Sequence, residues 1–280
     1  MVVLEPLGGL ANRMRVIASG LWLSNESNKK TGIIWALNSD LNCKFEDLFD
    51  PIKNMTIESN RPEFLRVRAT NQVELKKRIK AWIKNKIVRV DYCIVNSDFK
   101  NLIWNNKINI LEISKKNKCL YIQTCHEFGD NQKQLLKFKP VLQIQKIIDC
   151  QTIKFNNLTI GLHIRRSDNI IAIEQSPLEL FIDKINYELK INKDSNFFLA
   201  TDDINTEKNL KELFGEKILT YKKEIDRNTP QGIKDAVVDL YCLAKTNYIY
   251  GSYWSSYSEI AARIGQIELI TLNNQDANIL

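Results

Sequence analysis

Two adjacent arginines, Arg165 and Arg166, follow an apolar segment that covers residues 158–164. Near-continuous apolar runs of this length are typical of parallel strands that are buried on both faces. In open α/β sheets, ligands bind beyond the carboxyl ends of such strands, so both guanidinium groups are expected at a ligand crevice. Their planar, forked donors suit bidentate binding of phosphate oxygens. The alternative is a surface arginine pair that closes onto Asp168.

Three further polar clusters lie at or between predicted strands. The apolar run FLATDD, residues 198–203, ends in an aspartate pair; Asp239 lies in a predicted helix; and GSYWSSYSEIAARIG, residues 251–265, turns through hydroxyl residues into a helix N-terminus. Such a terminus offers unpaired backbone N–H groups and a favourable dipole to phosphate. Each cluster alone has an ordinary alternative: a turn, a helix cap or, for His163, a packed neutral histidine. Together they predict a nucleotide or nucleotide-sugar site.

The elements that must position these residues alternate between strand and helix. In the second half, we predict strands at 158–164, 196–200, 217–220, 248–251 and 269–271, and helices at 177–189, 206–213, 231–244 and 256–264. In the first half, we predict strands at 2–4, 32–37 and 120–123, and helices at 11–25 and 140–149. This alternation predicts parallel sheets with crossover helices. We therefore expect an α/β fold with two domains, residues 1–150 and 151–280.

Composition narrows the class of protein. A chain of 280 residues with 44% hydrophobic content is long enough for two globular domains. It contains no apolar run of about 18 residues and no secretory leader, so we expect a cytoplasmic protein without a transmembrane helix. Two histidines and the absence of a CxxC pair make zinc improbable, and no D-x-D triplet offers ligands to a divalent ion. We expect neither a metal nor a cofactor.

The net charge of +7 is concentrated in one segment. Residues 61–90 hold ten lysines or arginines and two acidic residues, with apolar residues at helical spacing. This pattern predicts an amphipathic surface helix with a solvated basic face. The alternative is peripheral contact with an anionic membrane surface or an acidic acceptor. No nucleic-acid-binding motif is present, so we expect no nucleic-acid partner.

Three motifs, HIRRSD, FLATDD and DLYCLAKTNYIYGSYWSSYSEIA, resemble those shared by α-1,2-, α-1,6- and protein-O-fucosyltransferases. The opening GGLANRM is similar to the glycine-rich loop that begins the acceptor half of those enzymes. The resemblance implies a GT-B-like architecture of two facing Rossmann-like domains, with residues 1–150 on the acceptor side and residues 151–280 binding the GDP-sugar. It also implies inverting, metal-independent transfer of fucose from GDP-fucose to a glycan hydroxyl.

The resemblance assigns roles to individual residues. Arg165 would bind the β-phosphate and stabilise the departing GDP, and Arg166 would support it or orient the loop. The other substrate-binding residues that it implies are Gly9, Asn12, Arg13, His163, Asp202, Asp239, Ser255, Ser256 and Tyr257. Asn12 would reach toward the reacting sugar, the two aspartates would contact the ribose or guanine, and the last three residues would surround the pyrophosphate and base.

An inverting transfer needs a base that accepts the proton of the acceptor hydroxyl. We predict Glu174, with Asp168 as the rival. The acceptor is expected to be a surface polysaccharide or lipopolysaccharide, while its identity and linkage stay open. Two alternatives remain: a transferase of the same fold that uses another nucleotide sugar, and a nucleotide-sugar or glycan-binding module that has lost catalysis.

Overall fold

The computed structural model describes residues 1–58, 90–105, 107–167 and 170–274. The chain divides into two compact units, Met1–Lys139 and Pro140–Leu280. Each unit contains a five-stranded sheet in which every observed strand pair is parallel. The predicted α/β class with two parallel-sheet, Rossmann-like domains is therefore confirmed. Position 150, where we predicted the division, falls inside the first helix of the second unit.

The first unit has the strand order β3-β2-β1-β5-β4. Its strands are β1 (Val2–Pro6), β2 (Thr31–Ile34), β3 (Met55–Glu58), β4 (Tyr92–Ile94) and β5 (Leu120–Thr124). Its helices are α1 (Leu10–Glu26), α2 (Asn96–Phe99), α3 (Ile110–Lys116) and α4 (Gln132–Leu135). All five residues of β1 are buried, which agrees with its central position in the sheet.

The second unit has the strand order β10-β9-β6-β7-β8. Its strands are β6 (Thr159–Ile164), β7 (Asn196–Thr201), β8 (Ile218–Leu219), β9 (Tyr248–Ser252) and β10 (Glu268–Leu272). Its helices are α5 (Leu142–Thr152), α6 (Ile170–Gln175), α7 (Leu178–Ile191), α8 (Ile204–Phe214), α9 (Pro230–Leu243) and α10 (Ser256–Gly265). Phe181 and Ile185 of α7 pack with Leu162 of β6 in one buried core, because apolar residues at helical spacing face the apolar strand.

Each sheet has a switch point, which is the place where the chain stops adding strands on one side of its first strand and continues on the other side. In the second unit the chain runs outward from β6 through β7 to β8, and then returns to β9 on the other side of β6. In the first unit the same change separates β1 from β5. Ligands of open α/β sheets bind at this switch point, beyond the carboxyl ends of the strands.

The sequence pattern does not predict two of the strands, β3 and β4, or four short helices, α2, α3, α4 and α6. The missed elements are three to seven residues long, too short for a periodic pattern. The predicted basic helix at 61–90 lies outside the described residues except for Val90, so contact of this segment with a membrane surface stays a prediction. None of the helices in the described ranges is both long and apolar enough to cross a membrane.

Candidate functional site

The carboxyl edge of the second sheet brings the predicted arginine loop against the ends of both neighbouring strands. The backbone N–H of Arg165 donates to the Ser252 hydroxyl at the end of β9, at 3.0 Å. The backbone N–H of Arg166 donates to the Asp202 carboxylate, just beyond β7, at 2.7 Å. The loop after β6 is therefore fixed from both sides, at the switch point between β6 and β9.

Asp202 holds the arginine loop through both carboxylate oxygens. Its Oδ1 accepts the Arg166 N–H, and its Oδ2 accepts the Ser167 hydroxyl at 2.6 Å. The same Oδ2 lies 3.7 Å from Nη2 of Arg227. These bonds make Asp202 a positioning residue for the loop. The predicted contact of Asp202 with ribose or guanine would have to share oxygens that already accept protein hydrogen bonds.

Arg166 connects the loop to helix α6. Its Nη1 donates to the Ile173 carbonyl at 3.3 Å, and its Nη2 is buried with no hydrogen-bond partner among the described residues. This geometry agrees with the predicted supporting role. Glu174, the next residue of α6, is exposed, and its backbone carbonyl accepts a hydrogen bond from the Asn274 side chain at 2.7 Å. The rival base, Asp168, lies outside the described residues.

Helix α10 begins at the same edge, directly after β9. Its N-cap residue, Ser255, makes no side-chain capping hydrogen bond; its hydroxyl lies 3.5 Å from Nδ1 of His163. The N–H groups of the first helical turn, which begins at Ser256, are thus not capped by the Ser255 hydroxyl and can bind an anion. Tyr257 stacks on His163 with ring centroids 4.8 Å apart and donates its hydroxyl to the Ala236 carbonyl.

His163 is buried and is held neutral at ordinary pH. Burial lowers the pKa of His163 to about 3. Asp202 opposes this shift, and three nearby cations reinforce it: Arg165, Lys223 and Arg227. His163 is therefore a packed neutral ring that contacts Tyr257 and Ser255. The three cationic side chains lie near this ring, at the same edge of the sheet.

We expect His163 to make the fold acid-sensitive. The pKa of this histidine is about 6.5 in the unfolded chain and about 3 in the folded chain, so between these pH values only the unfolded chain binds the proton. The free energy of unfolding should therefore fall by about 2 kcal/mol when the pH is lowered from 7.5 to 5. Urea unfolding at both pH values, compared between the wild type and His163→Gln, measures this difference. Asp239 acts in the opposite direction in both proteins and cancels in the comparison. Equal pH dependence in the two proteins would contradict the assignment.

Asp239, on helix α9, forms a buried ion pair with Lys223. The Lys223 Nζ lies 2.6 Å from Oδ2 of Asp239, while Oδ1 is buried without a hydrogen-bond partner in the described part of the chain. Burial raises the pKa of Asp239 to about 6, against the opposing charge and hydrogen bond of Lys223. Asp239 is therefore held by Lys223 in the interior, and its contact with a nucleoside stays a prediction.

The glycine-rich loop of the first unit lies between β1 and α1. Gly8 has a φ of +79°, and a Cβ atom there would lie 2.8 Å from the Asn12 amide nitrogen, so only glycine fits this turn. Gly9 is the N-cap residue of α1. The Asn12 Oδ1 is buried and has no hydrogen-bond partner among the described residues. The Asn12 side chain thus has an unused but buried acceptor, and its contact with the reacting sugar stays a prediction.

Arg13 has a different place from the one that the resemblance implied. Its side chain is fully buried and donates to the carbonyls of Gly8 and Ala36 and to the Asn38 side chain, at 2.7, 2.6 and 2.8 Å. Its guanidinium also lies 5.1 Å from the centre of the Trp35 ring. Burial lowers the pKa of Arg13 to about 10, which leaves it protonated at neutral pH. Arg13 therefore fixes the loop, and a direct substrate contact is not what this geometry supports.

Sequence reasoning missed three residues of the second-unit site: Ser252, Lys223 and Arg227. Ser252 lies inside the motif DLYCLAKTNYIYGSYWSSYSEIA, directly after the strand predicted at 248–251, and this position could have indicated it. Lys223 and Arg227 lie between β8 and α9, in a stretch without helical or strand periodicity. Among the described residues, no three His, Cys, Asp or Glu side chains come together as a metal site would require.

The two Rossmann-like units, each with a parallel five-stranded sheet, agree with a GT-B-like α/β fold. Three solved structures share the fold. NodZ alpha-1,6-fucosyltransferase, known from Bradyrhizobium, soaked with GDP-fucose, has 14% identity and a TM-score of 0.64, over 94% of this chain and 92% of NodZ. A mutant of Arabidopsis thaliana FUT1 in complex with GDP has 16% identity and a TM-score of 0.61, over 96% of this chain and 69% of FUT1.

POFUT1 in complex with GDP is similar over 97% of this chain and 98% of its own, with 12% identity and a TM-score of 0.59. No protein-family sequence model matches the chain, and no curated protein sequence matches it. The relationship is thus structural. It confirms, at the level of the fold, the likeness to fucosyltransferases that the motifs indicated.

Proposed function

We propose that the protein is a glycosyltransferase that moves fucose from GDP-fucose to a hydroxyl of a glycan acceptor. The observation that carries the proposal is the position of Arg165 at the switch point of the second sheet, with the loop fixed by Ser252 and Asp202. The fold is shared with fucosyltransferases whose structures contain GDP or GDP-fucose, and this likeness supports the choice of donor.

Departure of GDP is the step that this site is built to assist. Negative charge develops on the β-phosphate as the bond to the sugar breaks, and Arg165 together with the N–H groups of α10 would stabilise it. Because hydrogen bonds hold the loop in place beforehand, little reorganisation would be needed during the reaction. Arginine would thus take the part of a divalent ion, and we propose transfer without a metal.

The attack requires an acceptor hydroxyl and a base. Glu174 is our choice of base, since it is exposed and adjoins Ile173, whose carbonyl holds Arg166. Its carboxylate would take the hydroxyl proton as the glycosidic bond forms, with inversion at the sugar carbon. Asn12 and the glycine loop of the first unit would bind on the acceptor side of the reaction. We propose that the acceptor is a surface polysaccharide or lipopolysaccharide.

The proposal predicts stabilisation by guanine nucleotides. In a thermal-shift panel with EDTA, GDP and GDP-fucose at about one hundred times their dissociation constants should each add about 2.7 kcal/mol of stability, while UDP should add none. A shift with UDP and none with GDP would instead indicate another nucleotide sugar. No shift with any guanine nucleotide would refute the proposed donor.

Product formation separates a transferase from a binding module. Radiolabelled GDP-fucose and a panel of bacterial surface glycans, incubated with the full chain in EDTA, should give fucosylated product and free GDP. Binding of GDP-fucose without turnover on any glycan or on water would favour a module that has lost catalysis. Activity that appears only after addition of a divalent ion would contradict metal-independent transfer.

A further inference from the structure

An exposed tryptophan stands at the switch point beside the arginine loop. Trp254 lies between β9 and α10, and its side chain is 69% exposed. Its φ of +52° lies in the left-handed region, which is rare for a bulky residue and strains its backbone. Strained backbone of this kind persists only where the surroundings enforce it, and it concentrates at ligand sites.

Hydrogen bonds on the N-terminal side hold the turn that carries Trp254. The Tyr253 N–H donates to the Ser176 hydroxyl at 2.7 Å, and that hydroxyl donates to the Leu272 carbonyl at 2.5 Å. One residue earlier, Ser252 accepts the N–H of Arg165. The backbone that leads into Trp254 is thus fixed to β10 and to the arginine loop, so the indole has a rigid support.

The order of strands separates Trp254 from the groups suited to a nucleoside. Arg165 follows the central strand β6, and Trp254 follows β9 on one side of it. On the other side lies Asp202, after β7; its side chain is 20% exposed, and its carboxylate can accept a further hydrogen bond beside those from Arg166 and Ser167. Carboxylate oxygens accept well from the N–H groups of guanine. A diphosphate at Arg165 would then have its nucleoside on the β7 side and its sugar on the Trp254 side.

We propose that Trp254 is a stacking platform for the pyranose ring of the donor sugar. The apolar C–H face of a pyranose, including the methyl group of a deoxyhexose, would cover the exposed indole and exclude water from it. The residue thereby determines specificity at the sugar end of the donor. This inference rests on the proposed function and concerns the same site.

Two variants separate the ring from the backbone strain. Trp254→Asn removes the ring and places at this φ a residue that tolerates the left-handed region, whereas Trp254→Phe keeps a ring. Titration calorimetry with GDP-fucose and GDP gives the comparison. Trp254→Asn should weaken GDP-fucose binding roughly tenfold and leave GDP binding unchanged, while Trp254→Phe should stay within about threefold of the wild type for both.

Tyr187→Ala is the matched control, because Tyr187 is an exposed aromatic residue on α7, at 49% exposure. Its removal should change neither affinity. Unchanged GDP-fucose binding by Trp254→Asn, or equal weakening of GDP and GDP-fucose, would overturn the platform while leaving the proposed function intact. A wild-type chain that binds GDP but not GDP-fucose would also overturn it, whereas one that binds neither refutes the proposed function itself.

Discussion

Arg165→Ala should lose roughly a hundredfold to a thousandfold in turnover, the effect expected when one preorganised donor to developing charge is removed. The side chain is half-buried at the switch point, and its backbone is held by Ser252, so truncation removes the guanidinium and keeps the backbone hydrogen bond. GDP affinity should fall as well, since charge-assisted bonds to phosphate are lost. The measurement is fucose transfer at saturating donor, with GDP affinity by calorimetry.

Arg263→Ala is the matched control for Arg165→Ala. Arg263 lies on α10 in the same unit and forms a half-buried i,i+4 pair with Glu259 at 3.4 Å, of the kind that stabilises a helix by only about 0.2–0.5 kcal/mol. Its removal should leave both turnover and the unfolding temperature nearly unchanged. Near-normal turnover in Arg165→Ala, with an intact fold, would show that the phosphate assignment is wrong.

The position of the second-unit site could be predicted because burial and chemistry change together along the chain. Residues 159–164 are all buried, and the arginines begin at the next position. The same change occurs after Thr201 and again at Ser252. Since parallel strands end at one edge, these three changes place their polar residues together, whatever the exact bounds of the strands.

The hydrogen-bond partner of each polar side chain could not be read from the sequence. Asp202 and Asp239 are predicted ligand contacts, and the structure gives each a protein partner that the sequence does not indicate: Asp202 holds the arginine loop and Asp239 pairs with Lys223. A carboxylate accepts equally well from a nucleotide, a backbone N–H or an ammonium group. The choice depends on residues that are distant in sequence, and Lys223 lies in an irregular segment that no periodicity positions.

Arg13→Met should destabilise the first unit by about 2–5 kcal/mol, because two backbone carbonyls lose their hydrogen bonds to a buried guanidinium. Three acceptors lose their donor: the carbonyls of Gly8 and Ala36, and the Asn38 side chain. The two carbonyls left unpaired cost about 1–3 kcal/mol each, whereas the exposed Asn38 Oδ1 keeps the N–H donors of Asp40 and Leu41; methionine replaces only the volume of the side chain. Urea unfolding followed by a first-unit signal, such as Trp35 fluorescence, measures the loss.

Arg15→Met is the control for Arg13→Met. It tests whether the stability loss comes from the hydrogen bonds of Arg13 or from the loss of any arginine from α1. Arg15 lies on the same helix but is half-buried, with its Nε donating to the Cys125 carbonyl at 3.0 Å. Its replacement should cost about 1–2 kcal/mol, because water can reach the exposed part of the site. If Arg13→Met instead unfolds like the wild type and raises only the KM for the acceptor, Arg13 contacts substrate as the resemblance implied. Because each of the three guanidinium nitrogens already donates to Gly8, Ala36 or Asn38, we expect the stability loss.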